Sequence, residues 1–467
     1  MVWSGRLRRR WVIVSFGVGG LLLALPAPAG LSPLGLRTLS LVATAFLLFL
    51  TEAVPLPAVA LLIAVFEVLL GLGGPSEVAQ SFMNDSVFFI MGSLMLAVAL
   101  VKQNLDKRLA LAILRLTGPR VDRVVLGIVG VSALIASFIG EHTVAAMMLP
   151  VGVTLVNHAA DDRGKQKNLG ILLMLSIAYG AMIAGIGTPS GGARNAIMLA
   201  YWKELFGIHV SYLRWMEYAY PMVLLQVPVL AVILQRTFRP EISDLSMAIE
   251  GLREKVQKEG RMRGRDWASI GVFLLTVLMW ITIGDRIGLG ITSLVGVCLF
   301  ILLGLARWEE INNEVNWGVI LIYGGTISMG IAMKNSGAAH WVAESFLSML
   351  SPLGVHSGLS LLLSIVLLTT GITSVMAAGA TVGILGPIVL DMARISGTSI
   401  VAAGMITAIS SAFSYMTVFA SPAGTIIYGS GFIKPIDFLR AGWRMVVVSI
   451  LIVMLLASTY WRLLNGT

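Results

Sequence analysis

The amino-acid sequence predicts an all-α polytopic membrane protein. Of its 467 residues, 57% are hydrophobic and only 12% are charged, about half the charged share of an ordinary soluble domain. Mean hydropathy is +0.89, and a membrane-spanning helix needs about 20 mostly apolar residues, so the chain has room for roughly ten to twelve spans. Cys298 is the only cysteine, which also excludes a disulfide-stapled secreted fold. A soluble globular protein and a disordered chain are excluded by the same composition.

The basic residues indicate orientation rather than nucleic-acid binding, although the net charge is +9. Four arginines between positions 6 and 10 directly precede an apolar run at 11–25, which predicts a cytoplasmic N-terminus and a multi-pass protein of the cell (inner) membrane. The Pro-Ala-Pro-Ala-Gly segment at 26–30 also resembles a signal-peptide cleavage site. Because many further spans follow, a retained first helix is the simpler interpretation.

A polar stretch at 236–266 divides the apolar chain into two parts of similar size. It holds eight Lys or Arg and six Asp or Glu, and we interpret it as a cytoplasmic connector. The predicted organisation is therefore a basic segment with a first helix (1–29), a first repeat (30–235), the connector (236–266) and a second repeat (267–467).

Three landmarks recur in the two parts in the same order, which indicates an internal repeat. Residues 89–93 with Lys102-Gln103 match 321–325 with Lys334-Asn335 at an offset of 232, and 145–150 match 382–387 at an offset of 237. Residues 187–190 match 420–423 at an offset of 233. Each landmark is weak by itself, but three with similar offsets are hard to obtain by chance.

Four interruptions of the apolar runs form two repeat-related pairs. Short runs on either side of Gly140 and of Ala377 to Gly379 predict two re-entrant helical hairpins, at about 122–158 and about 359–394. Gly- and Pro-rich segments at 187–192 and 420–424 predict two discontinuous helices. Broken helices offer N–H groups to anions and carbonyl groups to cations, and paired breaks of this kind are typical of secondary transporters. Kinks that serve helix packing alone are the plainer alternative.

Three motifs resemble the divalent anion:sodium symporter family, which comprises Na⁺-coupled carriers of dicarboxylates, citrate and sulfate. They are Thr-Glu-Ala-Val-Pro-Leu-Pro at 51–57, Val-Asn-Trp-Gly-Val-Ile-Leu at 315–321 followed by Gly324-Gly325, and Ile-Tyr-Gly-Ser-Gly-Phe at 427–432. The resemblance covers nearly the whole chain after the first helix. It implies two inverted repeats, an elevator mechanism, a homodimer in the lipid bilayer and Na⁺ as the coupling ion without any other cofactor.

The resemblance also implies where substrate and Na⁺ bind, although the chain departs from the family pattern. The family's Ser-Asn-Thr tips fall here on Gly140-Glu141-His142 (or, with one deletion, Glu141-His142-Thr143) and on Ala377-Ala378-Gly379, so both asparagines are missing. The implied substrate positions are Glu141, His142, Thr143, Thr188, Pro189, Arg194, Ala377, Ala378, Gly379, Thr381, Ser421 and Pro422. The implied Na⁺ positions are Gly140, Glu141, Gly187, Thr373, Ala378 and Ala420.

Glu141 and His142 leave the coupling ion open. An ionisable residue at membrane depth is a functional hypothesis by default, and Glu141 can ligate Na⁺ or take up a proton, while His142 titrates near neutral pH. A structural Glu–His pair is the plainer alternative. Arg194 can hold a substrate carboxylate bidentately or, more simply, cap a helix end. The main function predicted is Na⁺-coupled symport of a small divalent anion, most simply a C4-dicarboxylate.

Other functions remain as alternatives. The missing asparagines favour a proton-coupled carrier or an anion exchanger using Glu141 and His142. An intramembrane enzyme is remote, because His-Glu-x-x-His and Gly-x-Ser-x-Gly motifs are absent from the sequence. A Walker lysine motif is absent too, which argues against ATP-driven pumping, and a passive channel would not need the paired breaks.

Overall fold

A computed structural model describes residues 5–102, 108, 117–159, 166–258, 262–418 and 420–464. Within these residues the regular structure is helical, and no β-strand is formed. The first-half helices are α1 (Gly5–Ala24), α2 (Pro33–Thr51), α3 (Leu56–Leu69), α4 (Pro75–Phe82), α5 (Asp85–Val101), α6 (Val121–Ile139), α7 (Glu141–Asn157), α8 (Lys167–Ala184), α9 (Ala193–Phe206) and α10 (Tyr212–Thr237).

The connector and the second half contribute the remaining helices. They are α11 (Ser246–Lys258), α12 (Gly264–Thr282), α13 (Gly284–Ile287), α14 (Leu289–Leu302), α15 (Trp308–Glu314), α16 (Trp317–Asn335), α17 (Ala338–Leu350), α18 (Gly358–Thr373), α19 (Ala378–Ser396), α20 (Ile400–Ser410), α21 (Pro422–Tyr428), α22 (Pro435–Ser458) and α23 (Tyr460–Leu464).

The membrane prediction is confirmed by the length and composition of these helices. In the described ranges, nine helices are long and apolar enough to cross a membrane, or up to ten if one pair bent by 112°, at 338–373, counts as a single span. The shorter apolar helices α3, α14 and α20 add to this set. The count agrees with the lower end of the predicted range.

The helices pack as two groups, which we name by their members. The framework helices are α2, α3, α5, α12, α14 and α16, with α3 lying along α16 and α5 along α14. The hairpin helices are α6 to α10 and α18 to α22, and they pack mainly on one another. Small residues allow close approach, since Gly325 of α16 has no room for a side chain against Ala60 of α3.

Breaks occur at or next to all four predicted places and in the predicted order, but the last one lies mainly before the predicted segment 420–424, and residues 422–424 are helical. Gly140 separates α6 from α7, and residues 374–377 separate α18 from α19. Residues 185–192, which include a 3₁₀ turn at Pro189–Gly191, separate α8 from α9, and α20 ends at Ser410 well before α21 begins at Pro422. The two halves therefore share the order hairpin, then discontinuous helix. Gln103 of the first repeat landmark lies outside the described residues.

The connector is partly folded onto the first hairpin. Helix α11 buries Ala248 and Leu252 and packs against α7, where Gly251 meets the His158 ring. The preceding strand-like segment is tied to the base of α6, because Val121 donates its N–H to the Ser243 carbonyl at 3.1 Å. The connector thus holds the base of the first hairpin in place.

Candidate functional site

Three of the four breaks, and the helix that follows the fourth, meet around one cavity of about 250 Å³. Both hairpin tips contribute to its wall, as do the first discontinuous helix and the start of α21. Framework helices α5 and α16 close the opposite side. Segments more than 200 residues apart in the chain are therefore brought to a single place.

The first hairpin tip depends on Gly140. Helix α6 ends and α7 starts at this single residue. Its φ is +90°, a conformation that residues with a side chain rarely adopt. The turn makes Glu141 the first residue of α7, where a carboxylate is favoured by the helix dipole. Glu141 is 8% exposed, and it lines the cavity together with His142.

The first discontinuous helix is held open by side chains that replace the missing helical hydrogen bonds. The Asn195 amide donates to the carbonyls of Gly185 (2.8 Å) and Thr188 (2.7 Å). The Trp215 indole donates to the Ile186 carbonyl at 2.8 Å. The Thr188 hydroxyl donates to the Ser137 carbonyl of α6 and so joins the break to the first hairpin. These partners satisfy carbonyl groups that would otherwise be orphaned inside the protein.

Arg194 and Glu141 form a buried ion pair in the cavity wall. Glu141 Oε2 lies 3.3 Å from both Nη1 and Nη2 of Arg194, and the two side chains are 11% and 4% exposed. Room for the guanidinium comes from Gly192, where a Cβ would lie 3.1 Å from Cζ of Arg194. The Arg194 Nε has no hydrogen-bond partner among the described atoms. Of the three guanidinium nitrogens, Nε alone is therefore without a partner.

The second hairpin tip presents backbone rather than side chains. Ala377, Ala378 and Gly379 line the cavity at the start of α19, and a Cβ at Gly379 would collide with the Tyr323 ring. The nearby threonine hydroxyls are engaged elsewhere. Thr381 donates to the Ala377 carbonyl at 3.2 Å, and Thr373 to the Ser411 carbonyl at 2.8 Å.

Three helices begin at the cavity wall, which makes it suited to anions. Glu141 of α7, Ala193 of α9 and Ala378 of α19 are the first residues of their helices, and each lines the cavity. A helix N-terminus carries about half a positive charge and unpaired N–H groups, so it attracts carboxylates, sulfate and phosphate. The combination of three such ends with one arginine can bind a small anion without the family's asparagines.

The structure gathers nine of the residues selected from the sequence. Those that line the cavity are Gly140, Glu141, His142, Pro189, Arg194, Ala377, Ala378, Gly379 and Pro422. Those not in its lining are Thr143, Gly187, Thr188, Thr373, Thr381, Ala420 and Ser421. Their roles in binding stay predictions in both cases.

Four polar lining residues were missed as site candidates by the sequence reasoning, and one of them, Ser190, lies in the predicted unwound segment itself. Ser93 of α5 has a buried hydroxyl without a partner among the described atoms, and Asn316 and Tyr323 come from the start of α16. The repeat landmarks contained the signal, since Ser93 and Tyr323 lie in the matched segments 89–93 and 321–325.

A second cleft of about 470 Å³ adjoins the cavity. It runs between α5 and α7, is lined by His142 and Thr143 at one end, and reaches Glu314 at the other. Glu314 pairs there with Lys102. The cleft therefore connects the cavity with the end of the bundle that carries α15.

A small anion-suited cavity at the meeting point of broken helices, inside a membrane-spanning bundle, defines a membrane transporter for small anions. The chain belongs to the sodium:sulfate symporter family, whose transmembrane region matches residues 8–467. This confirms the family resemblance seen in the motifs, and it makes the protein a transporter rather than an enzyme.

Individual relatives agree with the family. An uncharacterized transporter of Haemophilus influenzae is 27% identical over 440 residues, covering 91% of each chain. The sodium-dependent dicarboxylate transporter SdcS of Staphylococcus aureus is 25% identical over 435 residues, covering 87% of this chain and 82% of the relative.

Solved transporters share the fold at much lower identity. The Alcanivorax borkumensis YdaH transporter, whose topology is described as unusual, is 12% identical with a TM-score of 0.58 over 97% of this chain and 98% of that one. The Neisseria gonorrhoeae efflux pump MtrF is 9% identical with a TM-score of 0.58 over 97% and 94%. They support the fold alone.

Proposed function

We propose that this protein carries C4-dicarboxylates across the cell (inner) membrane by Na⁺-coupled symport. The observation that carries the proposal is the meeting of three helix N-termini and Arg194 at one cavity. The cavity volume of about 250 Å³ is below the range of about 300–1,000 Å³ typical for drug-sized ligands, which favours a small metabolite. The relative SdcS, a sodium-dependent dicarboxylate transporter, supports this substrate class.

Arg194 and the hairpin tips are the proposed substrate ligands. Arg194 lines the cavity, and one carboxylate, that of Glu141, already lies against its two Nη atoms. A substrate carboxylate can bind at the guanidinium of Arg194 and at the N–H groups that begin α19, while the Na⁺ ligands are the oxygens of Glu141 and of the carbonyls around Gly140.

We further propose an elevator movement of the hairpin helices against the framework helices, in a homodimer with a cytoplasmic N-terminus. The contacts at the two ends of the bundle differ. At one end α19 packs tightly along α16, and the buried Asp391 accepts from Lys334 at 3.2 Å. At the other end the cleft between α5 and α7 is open as far as Glu314. With the connector in the cytoplasm, this arrangement is an inward-open state.

A second candidate, proton coupling or anion exchange, is favoured by the Glu141–Arg194 pair. A resident arginine supplies positive charge beside the tip where the family binds Na⁺, and Glu141 can accept a proton when substrate displaces it from Arg194. Either the arginine charge or the proton on Glu141 would then take the place of a Na⁺ ion in the charge balance of the site.

Uptake of labelled succinate into proteoliposomes tests these proposals. An inward Na⁺ gradient, an inward H⁺ gradient and preloaded unlabelled succinate are compared in one preparation, with sulfate and citrate as competitors. We expect uptake driven by Na⁺. The Arg194→Gln protein should take up succinate about 10- to 100-fold less efficiently than the wild type, since a hydrogen bond to a charged group contributes about 1.5–3 kcal/mol. The matched control is Arg253→Gln, whose exposed pair with Glu250 lies on the connector helix.

Each outcome has a distinct meaning. Uptake with H⁺ alone, or only with preloaded succinate, would replace the Na⁺ proposal with the second candidate. Stronger competition by sulfate than by unlabelled succinate would overturn the dicarboxylate assignment. Equal uptake by the Arg194→Gln and Arg253→Gln proteins would overturn the proposed role of Arg194.

A further inference from the structure

Glu67 is a buried carboxyl group that the proposed transport site does not use. It lies two residues before the end of α3, an otherwise apolar helix of 14 residues, and it is 1% exposed. Among the residues that the structure describes, it forms no ion pair with Lys, Arg or His, although the buried carboxyl groups of Glu141 and Asp391 both do.

The hydrogen bonds of Glu67 are incomplete. Its Oε2 lies 2.5 Å from the Ser328 hydroxyl on α16, and its Oε1 has no partner among the described atoms. Ser328 is itself 2% exposed, so water reaches neither side chain from the surface. An ionised carboxylate accepts hydrogen bonds at both oxygens, whereas a carboxylic acid needs fewer acceptor contacts and donates one.

Tyr323 of α16 lines the substrate cavity, and the other charged and titratable groups considered on the surrounding helices are engaged with other atoms. Their contacts in the structure are Arg8 with the Ala53 carbonyl, Arg37 with the Leu70 carbonyl, Glu77 with the Gly74 N–H, Tyr201 with the carbonyls of Thr326 and Gly383, and Lys334 with Asp391. Burial of an unpaired charge is much more costly than burial of its neutral form, so the Glu67 side chain is expected to retain a proton.

We propose that Glu67 is a proton-binding site between α3 and α16, occupied by a proton in the resting protein. The bound proton lies on the carboxyl group, which shares a hydrogen bond with Ser328. The proton is the ligand of this site, and no ion or substrate enters it.

The location of Glu67 gives the proton a role in transport, a step that rests on the proposed function. Helix α16 is a wall of the substrate cavity through Tyr323, and the Tyr201 hydroxyl lies 2.7 Å from the Thr326 carbonyl of the same helix. Tyr201 belongs to the hairpin helices, so α16 is the framework surface against which they would slide. Loss of the proton would place a bare charge behind that surface, open the α3–α16 contact and slow transport.

Infrared spectroscopy of the full-length protein in lipid tests the proton site directly. We expect the wild-type protein at neutral pH to show the C=O stretching band of a protonated carboxylic acid. Glu67→Gln should lack this band, and the exposed control Glu309→Gln should keep it. Ser328→Ala, a second variant that leaves the carboxyl in place, should shift the band because it removes the hydrogen bond. The proposal would be overturned if the difference spectrum between the wild-type protein and Glu67→Gln showed only the bands of an ionised carboxylate.

Uptake against pH tests the role in transport separately. The wild-type protein should lose uptake as the pH rises through the range in which the band disappears, and Glu67→Gln should keep its uptake over that range. A band that titrates without any difference between the two uptake profiles would overturn the transport role. If the wild-type protein transports none of the anions tested, the function proposed above fails, while the infrared band still decides the proton site.

Discussion

Replacement of Arg194 by glutamine tests the buried ion pair most sharply. The substitution leaves the Glu141 carboxyl 8% exposed and without its cation. The carboxyl can then ionise without a partner or take up a proton. Protonation sets the upper limit of the loss in unfolding free energy, because protonating a carboxyl with a reference pKa of about 4.3 costs about 1.36 kcal/mol for each pH unit above that value.

The expected loss therefore depends on pH. At pH 7 the ceiling is about 3.7 kcal/mol, which agrees with the range of about 3–5 kcal/mol for breaking a buried pair from one side. At pH 5 it is about 1 kcal/mol, because most of the protonation cost has disappeared. The double variant Glu141→Gln/Arg194→Gln should lie within about 1 kcal/mol of the wild type at both pH values, since neutral replacements of a whole buried pair are often tolerated.

Denaturant titration in detergent micelles measures these free energies of unfolding. The control is Arg253→Gln, whose exposed pair with Glu250 should contribute less than about 1 kcal/mol at either pH. A loss for Arg194→Gln no larger than that of the control at pH 7 would refute the reasoning. So would a double variant that is as unstable as Arg194→Gln alone.

Two further substitutions test contacts around the site. Asn195→Ala frees the carbonyls of Gly185 and Thr188, so we expect a loss of about 2–3 kcal/mol in the same titration, and Asn195→Asp, which keeps the size but not the two donors, should be no better. A stable Asn195→Ala protein would show that water satisfies the break. Asp391→Asn removes the charge that pairs with Lys334 at 3.2 Å and with Arg394 at 2.8 Å and should cost about 1.5–3 kcal/mol, and an unchanged midpoint would contradict a structural role for these pairs.

The order of the helices and the breaks between them could be predicted because they depend on local sequence. Gly140 and the Thr-Pro-Ser-Gly-Gly segment at 188–192 interrupt apolar runs, and their repeat-related partners supported each interpretation. The repeat also placed residues 89–93 and 321–325 at equivalent positions, and both segments now border the same cavity. A pattern with a fixed period or offset can be recognised in a single sequence.

The partners of the site residues could not be predicted in this way. Glu141 and Arg194 are 53 positions apart, and their pairing depends on how the first hairpin packs against the broken helix. Asn195 follows the predicted unwound segment, but nothing in its neighbours indicates that its amide closes the carbonyls of Gly185 and Thr188. Glu67 is a single acidic residue in an apolar run of the sequence, and only the packing of α3 on α16 shows that it is buried.

On the proposed function, the charges of the cavity give a reason for a coupling cation even though the site has a resident arginine. Glu141 and Arg194 cancel, so the three helix N-termini supply the remaining field, about +1.5 charges in all. A divalent anion brings this to about −0.5. One Na⁺ or H⁺ returns the loaded site to a slightly positive value, similar in sign to the empty site. On the proposed function, substrate entry and cation entry are therefore interdependent, because a divalent anion carries more charge than the three helix N-termini supply.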